Sequence, residues 1–195
     1  MLAPCPPWSP EGVVPDLTAA PQAWRTERLV LRSSEPAFAA AFADAVAASS
    51  SDLAFVAGWR DAADIDVARR SLERSIELAD VDVVRHAFTH DGRYIGRFDL
   101  HSWDHEVPRC ELGYLVDSRL TGQGLATEAA TAMLDIAWQL GAIRVQAMCD
   151  VRNVRGIALA ERIGMRREGV LRSYSVDHEK QPYDELVLAR LSTDD

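Results

Sequence analysis

Two glycines stand two residues apart in "SRLTGQGLATEAA" (118–130), just before a run that reads as helix. Glycines let successive main-chain N–H groups approach an anion closely, and a helix N-terminus adds partial positive charge, so Gly122 and Gly124 could cradle a phosphate. The stretch is no Walker A loop, because no Gly-Lys-Ser/Thr follows. Nor is it a dinucleotide fingerprint, since Thr127 stands where the third glycine should be. A tight turn without a ligand remains open for a bare G-x-G.

Two further groups could carry chemistry. Glu111 and Gly113 share one face of an alternating run, with Leu112 and Tyr114 on the other. A glutamate there is either a general base or a solvated or paired surface group. "HSWDH" (101–105) offers His101-x-x-x-His105, but no cysteine or further histidine lies at ligand spacing. It is therefore expected to be a polar loop, and no metal is expected. That loop could border an acceptor site and bring Trp103 to the substrate.

These residues must be held by regular elements. "TERLVLR" (26–32) alternates as a strand, with Leu29 and Leu31 on one face. Residues 35–48 and 62–79 are expected as helices, the second with a stripe of Ile65, Ala68, Leu72, Ile76 and Ala79. "VVRHAFTHDGRYIGRFDL" (83–100) predicts a hairpin around Asp91-Gly92. Strands follow at 109–116 and 143–149, with a helix at 124–140 between them. A short helix at 153–163 is capped by Asn153 and stopped by Gly164. Alternating runs at 166–176 and 184–191 complete a mixed α/β or α+β order.

The chain has 195 residues, 48% hydrophobic and 26% charged, which suits a single compact domain after an N-terminal arm. Six of the nine prolines lie in residues 1–22, so residues 1–23 are expected as an extended arm and 24–195 as the domain. Trp8 and Trp24 could pin that arm to the domain or to a partner subunit, which leaves a homodimer open; a mobile terminus is the equal alternative. A net charge of −9 argues against nucleic acid as a partner; it is either ordinary solubilising charge or a weak attraction for a cationic substrate. Cys5, Cys110 and Cys149 form neither a C-x-x-C pair nor a disulfide framework, so a reducing cytoplasm is the expected setting. Neither a signal peptide nor a membrane span is expected.

Four blocks, in order, carry a resemblance to the GNAT N-acetyltransferases. "RLTGQG" (119–124) matches Q/R-x-x-G-x-G/A, the pyrophosphate signature of that superfamily. "TERLVLR", "ELGYLVD" (111–117) and "NVRGIALAERIGMRREG" (153–169) are similar to blocks of its ribosomal-protein N-terminal acetyltransferase (RimJ/RimL-like) branch. The resemblance implies the GNAT fold: a mixed, mostly antiparallel sheet of about seven strands, splayed at the cofactor cleft and flanked by about four helices. It implies acetyl-CoA as co-substrate and a primary amine, on a protein N-terminus or a small molecule, as acceptor. The amine would attack directly in a ternary complex.

By the same resemblance, the diphosphate rests on the N–H groups of Gly122, Gln123, Gly124, Leu125, Ala126 and Thr127, with Arg119 and Thr121 in the same signature. Backbone groups of Leu115 and Val116 hold the pantetheine arm and the thioester carbonyl. One N–H aimed at the developing oxyanion lowers a barrier by about 2.7–4 kcal/mol. Asn153 contacts the CoA arm, and Glu111 acts as general base through water. Gly156 departs from the pattern, standing where relatives carry serine, and Ala160 stands where others carry tyrosine. The acid that protonates the departing thiolate is thus unassigned, with Ser173, Tyr174 and Tyr183 as candidates. Those missing hydroxyls motivate the alternative, a CoA-binding sensor or regulatory module with little catalysis.

Overall fold

The computed structural model describes residues 15–50, 60–104 and 106–194. Its strands are β1 (Ala23–Arg25), β2 (Leu29–Ser33), β3 (Val83–Thr89), β4 (Tyr94–Asp104), β5 (Arg109–Val116), β6 (Arg144–Asp150), β7 (Arg166–Val176) and β8 (Pro182–Leu191). The α-helices are α1 (Ala39–Ala48), α2 (Ile65–Glu77), α3 (Leu125–Gln139) and α4 (Val154–Arg162). The eight strands form one open sheet in the order β1-β2-β3-β4-β5-β6-β8-β7. Every adjacent pair is antiparallel except β5–β6.

Eight strands rather than about seven arise because the predicted opening strand (26–32) begins only at Leu29, and a further strand, β1, precedes it. Thr26 N–H bonds to Leu29 O, a turn that separates β1 from β2 and folds them against each other. Leu29 and Leu31 are fully buried, as their alternation predicts.

The helices cover opposite faces of the sheet. Phe42, Val46, Ala68 and Leu72 of α1 and α2 pack with Tyr94 and Leu115 on one face. Ala129, Met133, Ile136, Ala137 and Leu159 of α3 and α4 pack with Leu31, Phe98, Leu112, Val145 and Leu188 on the other. At about 25 cal/mol per Å2 this second, larger cluster is the main hydrophobic stabilisation of the fold.

In α2, the expected stripe is narrower than the sequence implied. Asp64 caps the helix by accepting from Asp66 N–H and Val67 N–H. Ala68 and Leu72 are buried, whereas Ile65 and Ile76 stay 44% and 45% exposed. The helix touches the sheet along one short seam, so the ends of the stripe face solvent.

Residues 15–22 of the proline-rich stretch lie on the domain. Leu17 and Ala20 enter the larger core cluster, Trp24 packs against it, and the Arg85 guanidinium donates to Pro21 O at 2.7 and 3.1 Å. Trp8 lies outside the described residues, as does His105. No described helix is long and apolar enough to cross a membrane.

Candidate active site

The cleft begins where β5 and β6 part. They are in register at Arg109↔Arg144, Cys110↔Val145 and Glu111↔Gln146, and there their pairing stops. β5 runs on to Val116 beside β4 alone, while β6 runs on to Asp150 beside β8 alone. Asp117 N–H donates to Ile95 O at 2.9 Å, which sets the alternation of the β4–β5 ladder. That alternation turns the peptide groups of Gly113 and Leu115 toward β4. In agreement, a Cβ on Gly96 would stand 2.2 Å from Leu115 O. The peptide groups of Tyr114 and Val116 face the gap. Of the two backbone positions expected to hold the pantetheine arm, the Val116 peptide groups face the gap and those of Leu115 face β4; the other gap-facing position is Tyr114. The Val116 carbonyl is already bonded by Ser49 Oγ at 3.1 Å, leaving its N–H for a ligand.

The glycine loop lies beyond the end of β5. Asp117 accepts from Arg119 N–H and closes a 3-10 turn at Ser118–Leu120. Gly122 and Gly124 then take φ of 79° and 75°, left-handed values that a side chain would strain. Gly124 is the N-cap of α3 and supplies no capping side chain. Among the described residues no side chain caps the start of this fifteen-residue helix, and its first N–H groups are left in the arrangement an anion completes.

Arg119, expected within this cradle, is engaged elsewhere. Its guanidinium is held by Asp117 at 2.6 Å and Asp44 at 2.5 Å. It braces the turn that presents the loop. Thr121 Oγ1 donates to Ser118 O within the same turn. A cation that the loop motif did not reveal stands closer. Arg28 donates to Gln123 O at 2.9 Å and pairs with Glu128 at 2.6 Å, and its Nη2 lies 3.3 Å from where a Cβ of Gly124 would be. Arg28 belongs to the "TERLVLR" block, read from sequence only as a strand.

On the far side of the gap, Asn153 Oδ1 accepts from Gly156 N–H at 2.9 Å and caps α4. A Cβ on Gly156 would lie 2.6 Å from Asn153 Nδ2, which explains the glycine at this position: the capping amide fills the space. The Tyr114 hydroxyl donates to Gly156 O at 2.7 Å and lies 3.8 Å from Cys149 Sγ, latching β5 to α4. Burial raises the Cys149 thiol to about 11, the Tyr114 contact opposing it, so the sulfur stays a thiol. Of the three candidate acids, Ser173 and Tyr174 lie on the exposed edge strand β7. Tyr183 faces Glu185 at 3.3 Å.

Glu111 opens on the α1/α2 face, the side of the sheet opposite α3 and α4, since it shares a strand face with Leu115. It is in contact with Gln146 Nε2 at 3.5 Å and His101 Nε2 at 3.7 Å. Burial raises its carboxyl above the usual range, and the His101 charge and the Gln146 amide oppose that rise. His101 is no loop residue: it sits on β4 directly opposite Glu111. Its Nδ1 lies 2.9 Å from Asp99 Oδ2. A bulge follows, with Ser102 at φ 54° and a register shift between His101 and Asp104. This bulge turns Trp103 away from the acceptor side and onto the larger core, where its Nε1 donates to Leu100 O. Among the described residues, no three His, Cys, Asp or Glu side chains are grouped to hold a metal ion.

Comparison with known proteins adds to this geometry. The acetyltransferase (GNAT) domain model matches residues 28–166. YdaF of Bacillus subtilis (strain 168), whose name carries a provisional ribosomal N-acetyltransferase designation, is 30% identical over 97 residues, 49% of this chain and 53% of that protein. An uncharacterized N-acetyltransferase of Bacillus licheniformis, p20, is 31% identical over 81 residues, 41% of this chain and 46% of its own. The chain thus spans about half the length of the curated relatives it matches. Among solved structures, Mycobacterium smegmatis RimJ in complex with CoA-disulfide superposes with a TM-score of 0.80 at 21% identity, over 90% of this chain and 89% of that one. The microcin C7 self-immunity acetyltransferase MccE, in complex with acetyl-CoA and AMP, gives 0.79 at 18% identity, over 90% and 99%. At those identities the likeness establishes the fold.

Proposed function

The chain belongs to the GNAT acetyltransferase family, and on that premise we propose that it transfers an acetyl group from acetyl-CoA to a primary amine by direct attack in a ternary complex. One observation carries the reading. β5 and β6 separate immediately after Glu111↔Gln146, so a single gap joins an uncapped helix N-terminus to a half-buried carboxylate on the opposite face.

In this reading the N–H groups of Gly122 to Thr127 hold the diphosphate, and Arg28 adds a cation beside Gly124. The absence of side chains at Gly122 and Gly124 is what such a ligand needs. The Tyr114 and Val116 peptide groups guide the pantetheine arm, and a gap-facing N–H stabilises the oxyanion. Asn153, fixed by its cap, lines the opposite wall. Glu111 accepts the proton of the incoming ammonium, through water, freeing the nitrogen lone pair. A C–N bond forms, the C–S bond breaks with its electron pair leaving on sulfur, and the acylated nitrogen gives its second proton to solvent. The thiolate takes its proton from solvent or from a nearby hydroxyl. A thiol of ordinary pKa about 8.5 is a fair leaving group, so the missing hydroxyls at Gly156 and Ala160 do not forbid turnover.

The ribosomal designation of YdaF supports a protein N-terminus as acceptor, and the net charge of −9 fits a cationic one. A reducing cytoplasm is part of the reading, with Cys110 and Cys149 both free.

The test is release of free thiol from acetyl-CoA across a panel of N-terminal peptides, polyamines, amino acids and aminoglycosides. We expect turnover with at least one amine and a loss in Glu111→Gln of about 10²–10⁴-fold, the usual contribution of a general base. Tight acetyl-CoA binding without thiol release from any amine would instead favour the sensor, which Gly156 and Ala160 otherwise recommend.

A further inference from the structure

A general base must be ionised to work, and the position of Glu111 opposes that. Its side chain is only 20% exposed, and burial favours the neutral acid. The groups around it are mostly anionic. Glu185 of β8 and Asp99 of β4 both act to keep it protonated, while Gln146 of β6 contributes a neutral amide. His101 is the cation facing it.

The ring of His101 stands between two carboxylates. Nδ1 meets Asp99 Oδ2 at 2.9 Å, and Nε2 points to Glu111 Oε1 at 3.7 Å. A neutral imidazole has one donor and one acceptor nitrogen, so it would set a lone pair against one of these anions. An imidazolium attracts both, here through its charge rather than through well-formed hydrogen bonds, since Nδ1 is misaligned with Asp99 and Nε2 lies beyond hydrogen-bond distance of Glu111. Asp99 is itself fixed from behind. Arg97 Nε lies 3.6 Å from its Oδ1, and Gly113 leaves the space its carboxylate occupies: a Cβ there would come within 2.8 Å of Oδ2. Asp82, in the turn after α2, adds a further negative charge near the ring.

We infer that His101, held charged by Asp99, forms a charge clamp that keeps Glu111 a carboxylate, so that the base remains available below neutral pH. The inference rests on the reading of Glu111 as the base. His101 is a positioning residue here: it keeps its proton throughout, while the proton of the acceptor passes to Glu111 and then to solvent. Electrostatics agrees in direction. Burial would lower the His101 pKa, but contact with Asp99 and the charges of Asp99, Glu111 and Asp82 outweigh it and raise it above the ordinary value. The ring is one-third exposed, which screens the interaction and places its effect at the lower end of the range for close charge pairs.

The experiment is the pH profile of kcat at saturating amine, which reports groups in the bound complex. In His101→Gln the acid limb should move to higher pH by about one unit, the lower end for loss of a close opposite charge. Activity well below both limbs would then fall by about tenfold while activity above pH 8 stays within about twofold. Asp99→Asn removes both the support of the His101 charge and a direct repulsion of the Glu111 carboxylate, so its effect is read on His101 itself, whose titration should fall. Acetyl-CoA affinity, measured in parallel, should stay at the wild-type value and report a folded variant. An independent readout is the imidazole NMR titration, with the His101 signal assigned by its loss in His101→Gln. His101 should titrate above about 6.5, the ordinary value, and Glu111→Gln should lower it, because the coupling is reciprocal. A His101 signal titrating at or below that value, or indifferent to Glu111→Gln, overturns the clamp. An acid limb that survives Glu111→Gln removes Glu111 as base and the clamp with it. A limb erased by Glu111→Gln but unmoved by His101→Gln removes the clamp alone.

Discussion

Gly113 is bare because the Asp99 carboxylate occupies the space its side chain would take, with Oδ2 2.8 Å from the ideal Cβ. Gly113→Ala should therefore push Asp99 off His101. We expect a loss of stability of about 1–3 kcal/mol, as for other overpacked interiors, and a His101 titration lowered as in Asp99→Asn. Urea unfolding and the imidazole NMR titration check the two parts. His86 tests a different residue-scale effect. It is fully buried between Tyr94 Oη at 2.8 Å and Ser34 Oγ at 3.3 Å, and burial lowers its pKa to about 3. Unfolded, it titrates near 6.5. Below that value the unfolded chain takes up a proton that the folded one refuses, so this contribution is lost as pH falls from about 6.5 toward 3. His86→Phe should lose less stability between pH 7 and pH 5 than the wild type, measured by chemical denaturation at each pH. At this scale Glu111 was legible through its motif, but His101 was not. Alternation along one strand shows which residues share a face; it does not show which strand lies alongside. The pairing His101↔Glu111 became visible only with the register.

Among the elements, the strands and helices were legible where one periodicity ran unbroken. β5, α3, α4 and β7 lie within a residue or so of the expected limits, because each is closed by an N-cap, a glycine or a turn. Irregular joints escaped. The Thr26–Leu29 turn breaks a run whose alternation continues through it, and the bulge at Ser102 reverses Trp103 with no glycine or proline to mark it. The exposed ends of the α2 stripe escaped too, since periodicity says which face could be buried and not how much sheet lies beneath. The seam between β4 and β5 holds the open strand in place. Gly96→Ala would put a Cβ 2.2 Å from Leu115 O and 3.0 Å from Val116 Cα, so β5 must shift. We expect about 1–3 kcal/mol of destabilisation together with weaker acetyl-CoA binding, read from a thermal melt and a binding titration. Wild-type affinity in that variant would separate the position of β5 from the cofactor site.

For the molecule as a whole, the sheet divides the work between two faces. α3, α4 and the glycine loop lie on one side, and Glu111 with its charged neighbours on the other, so donor and acceptor can enter the same gap from opposite directions. The acidic balance of the chain belongs to this scale. With a cationic amine, kcat/KM should fall as salt is raised from low to physiological strength, since the Debye length shrinks from about 30 Å at 0.01 M to about 8 Å at 0.15 M. A rate indifferent to salt would remove long-range attraction from acceptor choice. The acceptor itself was not legible in the sequence, because the surfaces that select it carry no motif. The central claim, that main-chain amides at the start of α3 grip the diphosphate of acetyl-CoA, is most directly tested by calorimetric titration of Gly124→Asp beside the wild type. The account predicts saturable binding by the wild type and none by the variant, whose carboxylate would meet the phosphates and whose backbone would be strained at a φ of 75°. Equal affinity in the two proteins would contradict it.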